Sequence, residues 1–154
     1  MIDREMRDKA ATLLRQLAAA EITNDDFHDA FPRSREDWAI EAIFWMAWAH
    51  YSDLHNHRLV GKYALDEEGR KLFRRAETFL RSGLEYGYPK KEFSKLGRPN
   101  PLMVVITLGL EWFLYRRRRR HDEGLLREHE AVGDMDVWPF LSREDYEAEK
   151  ANAS

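Results

Sequence analysis

The chain of 154 residues contains no cysteine, and only five prolines and eight glycines. Without cysteine it can form no disulfide, use no thiol nucleophile and bind no metal through thiolates. The few glycines do not form the loops that surround phosphates in nucleotide-binding proteins, G-x-x-x-x-G-K-[ST] and G-x-G-x-x-G. The motifs of serine hydrolases and zinc proteases, G-x-S-x-G and H-E-x-x-H, are also missing. These absences remove the best-marked enzyme classes.

Long apolar runs are missing as well. The most apolar stretch, residues 101–115, spans about 22 Å as a helix, whereas the hydrocarbon core of a bilayer is about 30 Å thick. Glu111 lies inside this stretch. Residues 1–5 carry charges of both signs, and no apolar core typical of an export signal follows them. We therefore expect no membrane association and a cytoplasmic location.

The composition is that of a folded domain. Apolar residues make up 44% of the chain and aromatic residues 12%, which is too much apolar surface for a disordered protein. The length is that of one domain, so we expect residues 1–154 to form a single helical domain.

Local signals predict where helices begin. Apolar residues recur at helical spacing over residues 3–20, which predicts an amphipathic helix. A hydroxyl residue followed by acidic residues then occurs three times, beginning at Thr23, Ser34 and Ser142. Such residues cap the exposed N–H groups of a first turn and complement the helix dipole. They predict helices that begin near Asn24, Arg35 and Arg143.

The remaining segments complete an all-α fold. The segment from residue 35 to about residue 58 is apolar all round after Glu41, which predicts the central buried helix of a bundle. Another helix is predicted over residues 67–83, with Asp66 as its cap, and residues 85–100 read as a long internal loop. Residues 102–110 are rich in β-branched residues, so helix and strand both remain open there. We expect a bundle of five or six helices.

The formal charge of −3 hides a blocked arrangement. Residues 1–69 hold 8 basic and 14 acidic side chains, and residues 70–98 hold 9 basic and 3 acidic ones. Five consecutive arginines follow at 116–120, and residues 122–150 hold 3 basic and 10 acidic side chains. The basic blocks either bind an acidic partner or lie against the acidic helices.

The candidate partner-binding residues come from the basic blocks and from one apolar segment near the C-terminus. Trp138 lies in that segment and either anchors a partner or fixes the last helix to the bundle. The candidates are Arg74, Arg75, Lys90, Lys91, Arg116, Arg117 and Trp138.

A histidine cluster is the sharpest chemical feature. On a helix, His50, Asp53 and His57 would share one face, because they are three and seven residues apart. Two imidazoles and a carboxylate are reasonable ligands for a divalent metal. One straight helix would nevertheless hold the outer two about 10 Å apart, so a site needs a bend and further ligands. The alternative is the solvated end of the central helix.

We expect a non-enzymatic protein that binds a partner protein through its charged blocks, as immunity and adaptor proteins do, and that needs no cofactor. One alternative is a metal-dependent hydrolase that uses His50, Asp53 and His57. The other is nucleic-acid binding through residues 70–98 and 116–120, which the nearly neutral total charge disfavours. The sequence leaves open whether the chain forms a homo-oligomer.

Overall fold

The computed structural model describes residues 1–52, 54–90, 124–125 and 127–152. Over these residues the fold is all-α and contains no strand, as the sequence predicted. The α-helices are α1 (Arg4–Ala18), α2 (Asn24–Ala30), α3 (Trp38–Trp48), α4 (Glu67–Arg81) and α5 (Arg143–Asn152). Two short 3₁₀ helices occur at Gly61–Tyr63 and Met135–Val137, and residues 124–125 and 127–130 are helical. Residues 102–110, for which helix and strand remained open, lie outside the described residues.

The chain divides into two compact units. The first consists of Met1–Tyr88 together with Gly133–Ser154, and the second is Pro89–Val132. All five labelled helices belong to the first unit. The described part of the second unit contains the helical residues 124–125 and 127–130, in which the imidazole Nδ1 of His129 lies 2.8 Å from the carbonyl oxygen of Leu125. The single domain stays a prediction.

None of the described helices is long and apolar enough to span a bilayer.

Residues 85–90, the described part of the predicted loop, form neither helix nor strand. The rest of that predicted loop lies outside the described residues.

Most of the helices begin at the capping residues that the sequence predicted. Thr23 forms a complete capping box with Asp26 at the start of α2. Asp66 caps α4 by accepting a 2.7 Å hydrogen bond from the Gly69 N–H. Ser142 accepts a hydrogen bond from the Asp145 N–H at the start of α5. A side-chain oxygen in each case satisfies an N–H group that the helix itself leaves unpaired.

The start predicted near Arg35 is wrong by three residues. Ser34 does accept a hydrogen bond from the Asp37 N–H, but this contact closes a turn and begins no helix. The carboxylate of Asp37 caps α3 instead, by accepting a hydrogen bond from the Ala39 N–H at 3.2 Å. The helix therefore begins at Trp38.

The central helix is also shorter than the predicted residues 35–58, because α3 ends at Trp48. In a longer helix the Met46 carbonyl would accept the His50 N–H. Here the imidazole Nδ1 of His50 lies 2.9 Å from that carbonyl oxygen, and the His50 N–H bonds to Ala47 instead. The histidine side chain thus occupies the acceptor that the next turn requires.

Helix α3 is not buried all round either. Its buried side chains lie on one face, and Trp45 and Trp48 are only half-buried. The buried face joins a core to which α1, α2 and α4 also contribute, and α1 packs mainly against α4. The largest buried apolar side chains of this core are Phe27, Phe44, Phe73, Phe79, Phe140, Leu14, Leu17, Ile40, Ile43 and Leu80.

One ion pair lies inside this core. Arg7 is 0% exposed and Asp37 is 3% exposed. The guanidinium of Arg7 donates two hydrogen bonds to the carboxylate of Asp37, from Nε to Oδ2 at 2.5 Å and from Nη2 to Oδ1 at 3.0 Å. Its Nη1 donates to the carbonyl oxygen of Leu84 at 2.7 Å. The carboxylate also accepts hydrogen bonds from the N–H groups of Asp3 and Ala39, so both charges are satisfied inside the protein.

Removing one partner of this pair should destabilise the fold strongly. We expect Asp37→Ala to lower the free energy of unfolding by about 3 to 5 kcal/mol, because it leaves a buried guanidinium without its counter-ion. Urea denaturation followed by far-UV circular dichroism measures this loss. The matched control is Asp8→Ala, since Asp8 pairs with Arg4 on the exposed surface and should contribute at most about 1 kcal/mol. Equal losses for the two variants would contradict the central role of the pair.

Candidate interaction surface

Two of the three predicted metal ligands, His50 and His57, do not share a helix. Because α3 ends at Trp48, the helical spacing predicted for these two histidines is wrong. Asp53 lies outside the described residues. The described residues contain no group of three or more histidine, aspartate or glutamate side chains that could hold a metal ion. The metal site therefore stays a prediction. The helical spacing on which it was based is not found at His50 and His57.

The two histidines instead serve the local structure. The ring of His50 packs edge-on against Phe73, with ring centroids 5.4 Å apart. The ring of His57 lies on Tyr63 at 3.9 Å, and its Nδ1 is 2.7 Å from the carbonyl oxygen of His55. Because a carbonyl oxygen only accepts, Nδ1 must donate this bond. The Nε2 atom of His57 is buried and has no hydrogen-bond partner among the described residues.

The connection between α3 and α4 is held in place by Asn24, the first residue of α2. Asn24 is 1% exposed, and its Nδ2 donates to the carbonyl oxygens of Ser52 and His55 at 3.1 and 3.2 Å. Its Oδ1 accepts the His57 N–H at 2.6 Å, and its own backbone N–H donates to the His57 carbonyl oxygen. Asn24 thus satisfies four polar backbone groups of Ser52, His55 and His57, which lie outside regular secondary structure.

This fixed loop presents an apolar side chain to solvent. Leu54 lies between the two residues whose carbonyl groups Asn24 binds, and it is 80% exposed. Asp25, on the adjacent turn of α2, accepts a 3.1 Å hydrogen bond from Asn24, so its carboxylate lies beside the loop. Asp29 follows four residues later on the same side of α2 and is also exposed. We call Asp25, Asp29 and Leu54 the α2–loop surface.

Local hydrogen bonds favour the negative charge of α2. Hydrogen bonds from the backbone and the side chain of Thr23 lower the pKa of Asp26, and the positive charge of Arg58 adds to this effect. The carboxylate therefore stays ionised, and α2 presents a compact negative charge at its N-terminal end, where the helix dipole favours it.

Four of the predicted partner-binding residues, Arg74, Arg75, Lys90 and Trp138, lie within the described residues. Arg74 is exposed on α4 and Lys90 is exposed beyond it. Arg75 is half-buried, and its Nε donates to the carbonyl oxygen of Trp138 at 2.6 Å. Lys91, Arg116 and Arg117 lie outside the described residues, so their role, and nucleic-acid binding with them, stays a prediction.

Two of the five basic side chains of α4 are paired within that helix. Lys71 lies 2.9 Å from Glu67 and 3.0 Å from Glu68. Arg81 lies 3.1 Å from Glu77. Pairs at these spacings join neighbouring turns, which supports internal compensation as the role of these side chains.

Trp138 belongs to a segment, residues 137–141, that we call the strap. Its indole Nε1 donates to the hydroxyl of Tyr86 at 3.1 Å. Phe140 is fully buried and meets Phe79 edge-on at 5.1 Å. The hydroxyl of Tyr88 donates to the Phe140 carbonyl oxygen at 2.9 Å. These contacts hold the segment before α5 on the core, which was the structural alternative for Trp138.

Burial changes the acidity of the two tyrosines. It raises the pKa of Tyr88 to about 12. It also raises the pKa of Tyr86, against a smaller opposing effect of the hydrogen bond from Trp138. Both hydroxyl groups therefore remain protonated over the range in which an exposed tyrosine ionises.

Loss of the Asn24 side chain should release the loop. We expect Asn24→Ala to accelerate hydrogen exchange at the His57 amide, because its acceptor is removed. The free energy of unfolding should fall by about 1 to 3 kcal/mol, since buried carbonyl groups lose their donors. Exchange monitored by NMR measures the first effect and urea denaturation the second. In the control Asp29→Ala the amide should keep its protection, and unchanged protection in Asn24→Ala would refute the role of Asn24.

Alkaline pH should weaken the fold through Tyr88. In the unfolded chain its hydroxyl titrates near pH 10.0 and in the folded chain near pH 12. The unfolded state therefore loses its proton first, and the free energy of unfolding should fall as the pH rises from about 10 to about 12. Tyr88→Phe should show a shallower fall, with the remainder due to Tyr86. Urea denaturation across this pH range measures both slopes, and equal slopes would contradict the assignment.

Comparisons of the chain with protein-family models, with curated proteins and with solved structures found no match. The function must therefore be argued from the residues themselves.

Proposed function

We propose that this chain is a non-enzymatic cytoplasmic protein that binds a partner protein, and that the α2–loop surface contacts that partner. The observation that carries the proposal is the exposure of Leu54, 80% accessible, on a loop that a buried asparagine holds through its backbone. Leu54 is the most exposed of the large hydrophobic side chains in the described residues, and its place beside the exposed carboxylates of α2 distinguishes it from apolar residues scattered singly on a surface.

Fixed geometry supports this role. A loop that is ordered before binding loses little conformational freedom when its partner arrives, so more of the contact energy contributes to affinity. The bonds to the loop carbonyl groups and to the His57 N–H fix the backbone on both sides of Leu54. These bonds therefore hold the backbone close to Leu54 before any partner is present.

The charge of the surface indicates the chemistry of the partner. Asp25 and Asp29 are exposed and lie on the same side of α2, within the acidic block of residues 1–69. A partner with basic side chains around an apolar pocket would complement them. Opposite charges of this kind accelerate association and lose their effect as salt is added.

Helix α5 provides a matched comparison surface. It is also acidic, with Glu144 and Glu149 among its residues, and none of its side chains is buried. It presents no large exposed apolar side chain of its own, since the only large hydrophobic residue within it, Tyr146, is partly buried and packs against Phe140. Acidic charge alone would make the two surfaces equivalent, whereas the proposal distinguishes them.

Affinity capture with surface variants tests this proposal. The full-length chain is immobilised and exposed at low salt to an extract of its source cells, and bound proteins are quantified by mass spectrometry. Leu54→Asp, and separately the pair Asp25→Lys with Asp29→Lys, should reduce one specific bound protein at least about tenfold, as loss of a central contact does. Rising salt should weaken the same interaction.

The control is Glu144→Lys with Glu149→Lys on α5, which should leave that binding intact. All these positions are exposed or partly exposed, so the variants should remain folded. Asp25→Lys reverses a charge that the helix dipole favours and should lower the free energy of unfolding by at most about 1 kcal/mol. A bound protein that is lost on α5 reversal but retained by Leu54→Asp would contradict the proposed surface.

A further inference from the structure

The strap is held by its main chain as well as by its side chains. The Arg75 Nε donates to the Trp138 carbonyl oxygen, 63 residues away in the chain. The Tyr88 hydroxyl donates to the Phe140 carbonyl oxygen, 52 residues away. Both donors are side chains from elsewhere in the chain, and residues 138–141, which follow the 3₁₀ helix Met135–Val137, form neither strand nor helix.

The side chains of the strap fit the same place. Phe140 is fully buried against the edge of Phe79, and the Trp138 indole donates to the Tyr86 hydroxyl. We call Arg75, Phe79, Tyr86 and Tyr88 the α4 cleft. Polar groups that bind the peptide backbone, beside apolar contacts that select its side chains, are what a peptide-recognition site needs.

The C-terminal element is attached chiefly through this stretch. In residues 133–152 the buried positions are Val137, Pro139 and Phe140, and α5 contributes none. Segments with so few buried contacts open at a lower free-energy cost than the whole protein. The strap therefore has the character of a bound ligand that is joined covalently to its receptor.

We propose that the α4 cleft is a peptide-binding site, that residues 137–141 fill it within the chain, and that it accepts in their place an aromatic–proline–aromatic turn from another protein, like the turn that the Phe140 N–H and the Val137 carbonyl oxygen close here. Trp138, Pro139 and Phe140 supply this pattern in the chain itself. The cleft does not include the α2–loop surface, so this inference does not depend on the function proposed above.

Complementation with a synthetic peptide tests the inference. A fluorescein-labelled peptide with the sequence of residues 134–146 is titrated with full-length Phe140→Ala, and binding is followed by fluorescence anisotropy. We expect saturable binding, because the truncated strap vacates the apolar part of the cleft. The wild-type chain should bind at least about tenfold more weakly, since its own strap competes at a high effective concentration. A peptide carrying alanine in place of Phe140 should also bind Phe140→Ala at least about tenfold more weakly.

The matched control is Phe27→Ala, which removes another fully buried phenylalanine outside the cleft and should bind no better than the wild-type chain. Equal binding by the two alanine variants, or no binding by a Phe140→Ala chain that is folded by circular dichroism, overturns the proposal. If Phe140→Ala does not fold, Trp138→Ala takes its place, because it removes the bond to Tyr86 and leaves the core phenylalanine. Tighter binding by that variant than by the wild-type chain supports the cleft, and wild-type binding overturns it.

Discussion

The ion pair between Arg7 and Asp37 joins three parts of the first unit inside the hydrophobic core that they share. Arg7 lies on α1, Asp37 caps α3, and the third bond of the guanidinium holds the chain at Leu84, just after α4. Neither charge reaches water, so each is tolerated only while the other is in place. The position of α3 against α1, and the path by which the chain leaves α4, therefore depend on one satisfied pair. An apolar pair could fill the same volume, but it would not form the directional bonds that join α1 to the start of α3 and to the chain at Leu84.

The sequence predicted the helices well where local chemistry decides them. The capping residues Thr23, Asp66 and Ser142 each begin the helix that they were expected to begin, because a cap acts within one turn. The prediction failed at the two ends of α3, where local signals compete. Asp37 rather than Ser34 caps the helix, and the His50 ring takes the acceptor of the following turn. Both alternatives use residues that favour helix ends, and only tertiary packing selects between them.

The candidate surface was less accessible to sequence reasoning than the fold. Asn24 gives no signal, since an asparagine in a first turn is ordinary and its burial depends on a loop about 30 residues away. Arg7 does carry a sequence signal. It falls at helical spacing from the buried positions Ala10, Ala11 and Leu14 of α1, and a charged residue within an apolar stripe needs a partner. The charge blocks left partner binding and internal compensation both open. Within α4, Lys71 and Arg81 pair with acidic residues of the same helix, whereas residues 91–98 and 116–120 lie outside the described residues.

The connections between helices are held by hydrogen bonds from distant side chains to the backbone, which the hydrophobic periodicity of the sequence does not predict. Asn24 binds carbonyl groups of the loop after α3, and Arg75 binds the strap at Trp138. Arg4 similarly donates to the carbonyl groups at the end of α4, among them Ser82 at 2.9 Å. Each bond joins a side chain on a helix to backbone acceptors that no regular structure satisfies, and an unpaired buried carbonyl would be costly. Helices here are specified by residues close in sequence, whereas the irregular segments that display Leu54 and the strap are specified by single polar side chains far away. The surfaces available for binding are therefore those whose geometry a single substitution can alter without disturbing the helices.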